Sequence, residues 1–552
     1  CRYVAQALEG RAPGGAALPS MRKGRDGRTV LRSALGGLHA RGYPVDWKRV
    51  HPARGRVVPL PATPWQRQRY WVDLDKAAAK ALAPEAARRA PRATDLMYDV
   101  IWQARPAAPV LPVVTAAPAA SARAGAWLLF GRRDGVGAAL AALLRARGEP
   151  CWLIVPGDDE AALGDGVRSI DLRRPEHLDR VLRDVGACRG VVHLLGAGAP
   201  GEAPTLADVA SAQEAGVSSA LRLAQACARS GAASGGRLWL VTRGAQAAGG
   251  EPCRSPLHAP LWGLGRVLAL EHPDLWGGLV DLDPGSPAGE VEALWRELSG
   301  GGGEDQVALR GAERLVPRLV PAAPSPAPAP VALRADATYL VTGGLGGLGL
   351  CVARWMVDRG ARHLVLLGRR GLPDRAAWPA VPRDGEAGQK IAAIEALEAA
   401  GAAVQIESAD VADADRMAEV IGAIQRGRHP LGGVLHAAGV STLAPLEALD
   451  EAALATALRP KVIGGWALHE LTRGFDLDFT VYFSSGASVW GSARMAHYAA
   501  ANAFLDALAH HRRALGLRTL SINWGPWAAE GMVTEEGQRW FARMGMGAIP
   551  LD

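Results

Sequence analysis

The stretch Thr338–Gly371, TYLVTGGLGGLGLCVARWMVDRGARHLVLLGRRG, constrains this chain more than any other. An apolar strand runs into a glycine-rich turn, Thr342-Gly343-Gly344-Leu345-Gly346-Gly347-Leu348-Gly349, which opens a helix; the second apolar strand, His363–Leu367, follows. Two strands joined through a helix must lie parallel, with the helix over one face of their sheet. The missing side chains in the turn let the backbone approach a pyrophosphate and aim the N–H groups of the helix start at it. A bare glycine pattern is weak evidence, but one between a strand and a helix reads as a dinucleotide site.

A second stretch, Val481–Asn502, reads as strand, loop and helix. Val481–Phe483 is short and apolar, Ser484-Ser485-Gly486 ends it, and Tyr498–Ala507 is alanine-rich. On a helix Tyr498 and Asn502 share a face, so a phenol and a carboxamide project toward the end of the strand that carries Ser485. A lone tyrosine in such a helix is ordinarily core packing; beside the glycine turn it reads as an acid.

The combination TGGLGGLG (342–349), LLGRRG (366–371), ADV (409–411), HAAG (436–439), RPKVIGGWALHEL (459–471), FSS (483–485), YAAAN (498–502) and NWGPW (523–527) resembles the catalytic half of a ketoreductase of modular type I polyketide synthases, within the short-chain dehydrogenase/reductase superfamily. The resemblance covers residues 335–552. The implied fold is α/β, two tandem Rossmann-like doubly wound parallel sheets, the first degenerate and the second cofactor-binding.

The 552 residues, 49% hydrophobic, suffice for more than two ordinary domains. The net charge of +7 is dispersed over 62 basic and 55 acidic residues, which argues against nucleic acid as a partner and suits an anionic cofactor. The six cysteines form no CxxC pair, so a reduced, cytoplasmic protein without metal is expected, and no apolar run is long enough for a membrane helix. A first residue that is Cys suggests a piece of a longer polypeptide.

In chain order, Val30–His39 has a helical pattern and Pro64–Trp71, PWQRQRYW, resembles the end of a post-acyltransferase linker, so residues 1–72 are read as an acyltransferase tail and linker. His51, Gly55 and Pro59 mimic a dehydratase motif, but the proline falls one position early. Residues 73–95 are a connector. Residues 96–320 alternate strand-like and helix-like segments, with strands expected at Ala126–Phe130, Pro150–Val155, Gly190–Leu195, Leu238–Thr242 and Gly278–Asp281, and helices at Val136–Arg147 and Ala212–Ala228. They echo the later half without its chemistry: Thr242-Arg243 stands where the serines would be, and Ala259–Gly263 where the tyrosine helix begins. The resemblance implies a structural subdomain there. Residues 318–332 are Pro/Ala-rich and read as an extended linker, bounded at 321–334, too short to hold another reductive domain.

After the second strand of the catalytic half stand Gly368, Arg369 and Arg370, with no carboxylate for a ribose 2′-hydroxyl, which favours NADPH. By resemblance, Asp410 and Val411 hold the adenine, Ala437, Ala438 and Gly439 pass beneath the ribose, and Pro526 and Trp527 close over the nicotinamide, followed by a lid at Gly531–Val533 and Trp540–Met546. The resemblance also makes Lys461, ordinary by its spacing and following an Arg459-Pro460 that suits a helix start, the cation beside Tyr498, with Asn502 at the usual lysine position. Ser485 and Tyr498 then bind the β-keto oxygen of an acyl thioester, carried on the phosphopantetheine arm of an acyl carrier protein and served by neighbouring ketosynthase and acyltransferase domains. An LDD motif after HAAG is absent, Val440 being followed by Ser441-Thr442-Leu443. Trp490 lies eight residues before Tyr498, the mark of the A-type, L-hydroxyl-forming enzymes; Met495, at a position of stereocontrol, is neither the usual Gln nor His. His497, His510 and His511 read as helix or surface residues. The rival readings are a silent structural spacer and a free-standing reductase of small ketones.

Overall fold

The computed structural model describes residues 18–50, 96–106, 125–198, 201, 204–230, 236–300, 303–323, 331–527 and 549. The chain divides into two compact units, Cys1–Ala90 and Pro91–Asp552. In the first, helix Gly27–His39 starts three residues earlier than its apolar pattern suggests, because the Asp26 carboxylate accepts the Thr29 amide at 2.8 Å and caps it. The cluster Pro64–Trp71, the dehydratase-like residues and the connector 73–95 lie outside the described residues.

Two sheets form the second unit. The first contains β1 (Tyr98–Ala104), β2 (Ala126–Phe130), β3 (Cys151–Pro156), β4 (Ala161–Ala162), β5 (Val167–Ile170), β6 (Cys188–Gly196), β7 (Arg237–Arg243), β8 (Trp276–Leu282), β9 (Gln306–Arg310) and β10 (Glu313–Pro321), in the order β1-β10-β9-β8-β7-β6-β2-β3-β5-β4. The second contains β11 (Thr338–Thr342), β12 (His363–Gly368), β13 (Ala403–Ser408), β14 (Leu431–His436), β15 (Phe479–Ser485) and β16 (Thr519–Trp524), ordered β13-β12-β11-β14-β15-β16 and parallel throughout. β2 and β11 are buried along their whole length, as the central strands of a sheet covered on both faces must be.

The first sheet departs from the expected all-parallel form at both edges. β9 and β10 are joined by Gly311-Ala312, too short for a crossover, so β10 returns antiparallel; β1 and β4 also pair antiparallel with their neighbours. β10 runs to Pro321, so residues 318–321, read as the start of the linker, belong to the sheet. The linker's far end docks on the second sheet, where Leu333 is buried and Arg334 pairs with Asp478 at 2.9 Å. Residues 324–330 between lie outside the described residues.

Both halves carry one turn of π-helix at the same place. Leu206–Gln213 passes through the π-turn Glu214–Ser218 into Ser219–Ser230; Glu451–Leu458 passes through Arg459–Ile463 into Gly464–Thr472. The expected helix at Ala212–Ala228 is the first of these. Pro460 in the second has no amide to bond back, which favours a wider turn, and such turns mark functional positions. Lys461 is therefore inside a continuous helical run, not at a helix start, and the matching position of the first half is Gly216.

The halves are joined by one core. Leu128, Leu240, Trp262 and Leu264 from the first half pack in the same buried cluster as Trp466, Tyr482, Ala499 and Phe504 from the second. At its centre the helix Pro260–Glu271 lies against the helix Ala496–Ala514, so closely that a β-carbon on Gly263 would stand 2.2 Å from the Ala499 carbonyl oxygen. Helices approach this far only where side chains are absent or small.

Burial holds His193 and His436 neutral, lowering each to about 3. Their folded values lie below the unfolded value near 6.5, so the stability they lend is complete above pH 6.5 and drains away as the pH falls toward 3; at pH 5.5 each costs about 1.4 kcal/mol. Urea midpoints at pH 7.5 and 5.5 are expected to show the loss. His193→Gln, which takes up no proton, is expected to lose less between the two pH values than the wild type.

Candidate active site

The order of the second sheet reverses between β11 and β14, and at that switch point a crevice opens beyond the carboxyl ends of the strands. The glycine turn enters it from β11. Gly343 has φ of +70°, a left-handed conformation that favours glycine, and an added β-carbon there would meet the Ala437 backbone at 2.9 Å. At Gly349 it would stand 2.3 Å from the Gly343 carbonyl oxygen. Gly346 caps the helix Gly347–Asp358, whose first amides face the crevice.

A cavity of about 310 Å³ occupies this crevice. Its walls include Gly343, Gly346, Gly347, Leu348 and Gly349 from the turn, Gly368 and Arg369 after β12, Asp410 and Val411 after β13, and Ala437, Ala438 and Gly439 after β14. Thr342 and Leu345 are buried behind it, Thr342 bonding His436 Nδ1 at 2.6 Å. Gly344 is packed against Leu366, and Arg370 is exposed beside the cavity. Asp410 accepts the Ala412 amide at 2.9 Å and pairs with Arg459 at 3.0 Å, so its carboxylate holds the loop together. Pro526 and Trp527 continue from β16; Pro526 accepts the Ile549 amide at 2.7 Å, and Trp527 packs on Trp524. The lid segments 531–533 and 540–546 lie outside the described residues. The cradle fits a dinucleotide: its floor is backbone, and its one open helix N-terminus faces the cavity.

Lys461, Ser485, Tyr498 and Asn502 converge at the end of β15. Lys461, only 2% exposed, donates to the Phe483 carbonyl at 2.7 Å and sits 6.0 Å from the centre of the Tyr498 ring. Burial pushes its ammonium down to about 8, while Asp506 pulls the other way. Tyr498 is half-buried, and burial raises its phenol above the ordinary value, with hydrogen bonding from Ser485 and Asn502 opposing. The phenol thus keeps its proton at rest while an ammonium waits beside it. Asn502 donates to the Tyr498 backbone carbonyl at 2.8 Å and leaves its buried Oδ1 without a partner.

Asp506 escaped the sequence reading. It lies two helical turns beyond Tyr498, accepting from Ser488 at 2.5 Å and Asn523 at 2.8 Å through Oδ2 and from Ser521 at 2.6 Å through Oδ1. This network fixes the serine loop against β16. The spacing Tyr498, Asn502, Asp506 was the available signal, three polar groups on one face of an alanine-rich helix. Trp490 is 47% exposed and folded over Gly486, the residue after Ser485, whereas Met495 is buried at the N-cap of the tyrosine helix, its sulfur accepting from Ser492. His497, read as a helix or surface residue, is buried and bonds Thr442 at 2.9 Å.

The KR domain family profile matches residues 337–529, and the profile described as "Polyketide synthase extender module SpnB, Rossmann fold domain" matches 152–319. A solved structure titled "Structure of A-type Ketoreductases from Modular Polyketide Synthase" is 36% identical, with a TM-score of 0.66 over 82% of this chain and 88% of that one. The chain belongs to the ketoreductases of modular polyketide synthases. Among curated proteins, the ketoreductase is 36% identical over 98% of its length to erythronolide synthase EryA3 of Saccharopolyspora erythraea, and 33% over 97% to pikromycin polyketide synthase component PikAIII of Streptomyces venezuelae. It spans 15% and 30% of those two proteins.

The first half of this ketoreductase has the same switch point, between β6 and β2, and a buried ion pair stands at the end of its fifth parallel strand. Arg243, where the second half has serine, is buried and forms a two-pronged pair with Glu290 at 2.6 and 2.7 Å, while also donating to the Ala197 and Asp283 carbonyls. Gly346→Val, whose side chain would project into the cavity with only the Gly343 carbonyl oxygen nearby, is expected to weaken nicotinamide dinucleotide binding at least about tenfold, equivalent to about 1.4 kcal/mol. Fluorescence titration checks this, alongside a melting temperature expected to stay near that of the wild type.

Proposed function

We propose that the chain reduces a β-ketoacyl thioester to the β-hydroxyacyl thioester with NADPH, giving the L-hydroxyl as an A-type enzyme does. The observation that carries this reading is the buried Lys461 ammonium set against the Tyr498 ring beside a glycine-floored cavity. A reduced nicotinamide, when bound, supplies hydride to the ketone carbon. Ser485 and Tyr498 are assigned to hydrogen-bond the ketone oxygen, and Tyr498 to give it the proton as negative charge develops. A free phenol, with a pKa near 10, is a reluctant donor; Lys461 makes the phenolate less costly as it forms, and its own lowered pKa still leaves it charged at neutral pH. Asn502 is assigned to hold, through its unpartnered Oδ1, a water that returns a proton to Tyr498.

NADPH over NADH is supported by Arg369 at the cavity wall and Arg370 beside it, with no carboxylate at the end of β12. The A-type assignment is supported by Trp490, eight residues before Tyr498 and exposed over Gly486, and by the A-type structures among the similar solved ones. The likeness to assembly-line synthases supports an acyl carrier protein as the substrate's carrier, with ketosynthase and acyltransferase domains as neighbours.

Nicotinamide oxidation with a diketide β-ketoacyl thioester tests this. Tyr498→Phe is expected to lower kcat by about 10³-fold or more while binding the dinucleotide normally, since the loss of one transition-state donor alone accounts for about 10²–10³ and the proton source goes with it. NADPH is expected to outperform NADH, and chiral analysis to find the L-hydroxyl. Equal rates for wild type and Tyr498→Phe, or the D-hydroxyl, would contradict the mechanism or the stereochemical assignment respectively.

A further inference from the structure

The helix Pro260–Glu271 belongs to the first half, yet its last residue reaches the loops beside the second half's site. Glu271 accepts the Arg494 amide through Oε1 at 2.6 Å and the Leu446 amide through Oε2 at 2.7 Å. These amides lie in different loops. Leu446 ends the segment that leaves Gly439 at the cavity wall; Arg494 lies between Trp490 and the start of the tyrosine helix. Further contacts hold the same region together: Ala444 donates to the Arg494 carbonyl at 2.9 Å and joins the two loops, Thr442 bonds His497 of the tyrosine helix at 2.9 Å, and Gly491 lies so close to the helix Pro260–Glu271 that a β-carbon on it would stand 2.8 Å from the Arg266 carbonyl oxygen. Arg494 also holds φ of +67°, unusual for a residue with a side chain, and such a conformation persists only where its surroundings enforce it. A carboxylate gripping its amide is such an enforcement, and a charged acceptor grips more firmly than a neutral one.

We propose that Glu271 is a positioning residue of the ketone site, a bracket that sets the spacing of the two loops flanking Tyr498 and so governs how the substrate is presented to it. The inference rests on the reductase reading. Glu271 touches neither the catalytic groups nor the dinucleotide cavity, so its effect falls on the acyl substrate and on facial selection, leaving dinucleotide binding as it was.

The test uses the whole chain with NADPH and a diketide β-ketoacyl thioester, comparing wild type, Glu271→Gln and Glu271→Ala for both KM values, kcat and the ratio of hydroxyl stereoisomers. Glu271→Ala is expected to raise the ketone KM about tenfold and to lower the stereoisomer ratio by a similar factor, with the NADPH KM within about twofold of wild type. Glu271→Gln keeps an acceptor oxygen for one loop only and is expected to fall between. If the alanine variant fails to fold, the near-isosteric glutamine variant decides alone, its shifted ratio supporting the inference. Variants with an unchanged stereoisomer ratio and ketone KM overturn it, as does a variant that loses kcat alone. A wild type that binds NADPH but reduces no ketone overturns the reductase reading, and the inference with it.

Discussion

The close approach of Pro260–Glu271 to Ala496–Ala514 is the constraint on which the site depends. A helix laid over a single sheet has one face on the sheet and the opposite face bare. Here that face is covered by the helix from the other half, with Gly263 against Ala499 and Ala500. The contact explains why the tyrosine helix is alanine-rich: larger side chains at these positions would push the helices apart. It also sets the electrostatics. With water excluded from both sides, Lys461 loses enough hydration for its pKa to fall to about 8, and Asp506 restores part of the loss.

The two halves are one architecture used twice, and their differences are chemical. Each has a switch point and each has a π-turn in the helical run after its fourth parallel strand. At the π-turn one has Lys461 and the other Gly216; at the end of the fifth strand one has Ser485 and the other Arg243. Arg243 and Glu290 form a buried ion pair where the other half keeps a serine. A buried ion pair of this kind contributes less to net stability than its geometry suggests, because both charges are desolvated. What it does is tie the ends of β6, β7 and β8 together, through the Ala197 and Asp283 carbonyls and Glu290. From this half Gly263, Arg266 and Glu271 reach across to the other.

The sheets, the glycine turn and the tyrosine–asparagine pair were legible because each is written in neighbouring residues: a period of apolar positions, a run of glycines, an i to i+4 spacing. Most strand ends fell within two residues of the expected ones. Lys461 was not legible from spacing, since 37 residues separate it from Tyr498, and only the family resemblance singled it out. Arg459-Pro460 read as a helix start because a proline there ordinarily is one; the widened turn that accommodates it has no local signature. Glu271 was invisible for another reason. Its partners are 175 and 223 residues away, and a glutamate at the end of a helix looks like solvated surface. The antiparallel edges of the first sheet were missed because alternation of strands and helices carries no information about strands added at the margin.

Whether the first half holds the tyrosine helix in place is read from hydrogen exchange of wild type beside Gly263→Ala. Even the single methyl group would stand 2.2 Å from the Ala499 carbonyl oxygen, so one helix must move. Faster exchange is expected across residues 496–503 and in the loop 441–446, with β11 and β12 as protected as before. Exchange confined to 260–271, with the tyrosine helix unchanged, would show that the catalytic half holds its own site and would contradict the account.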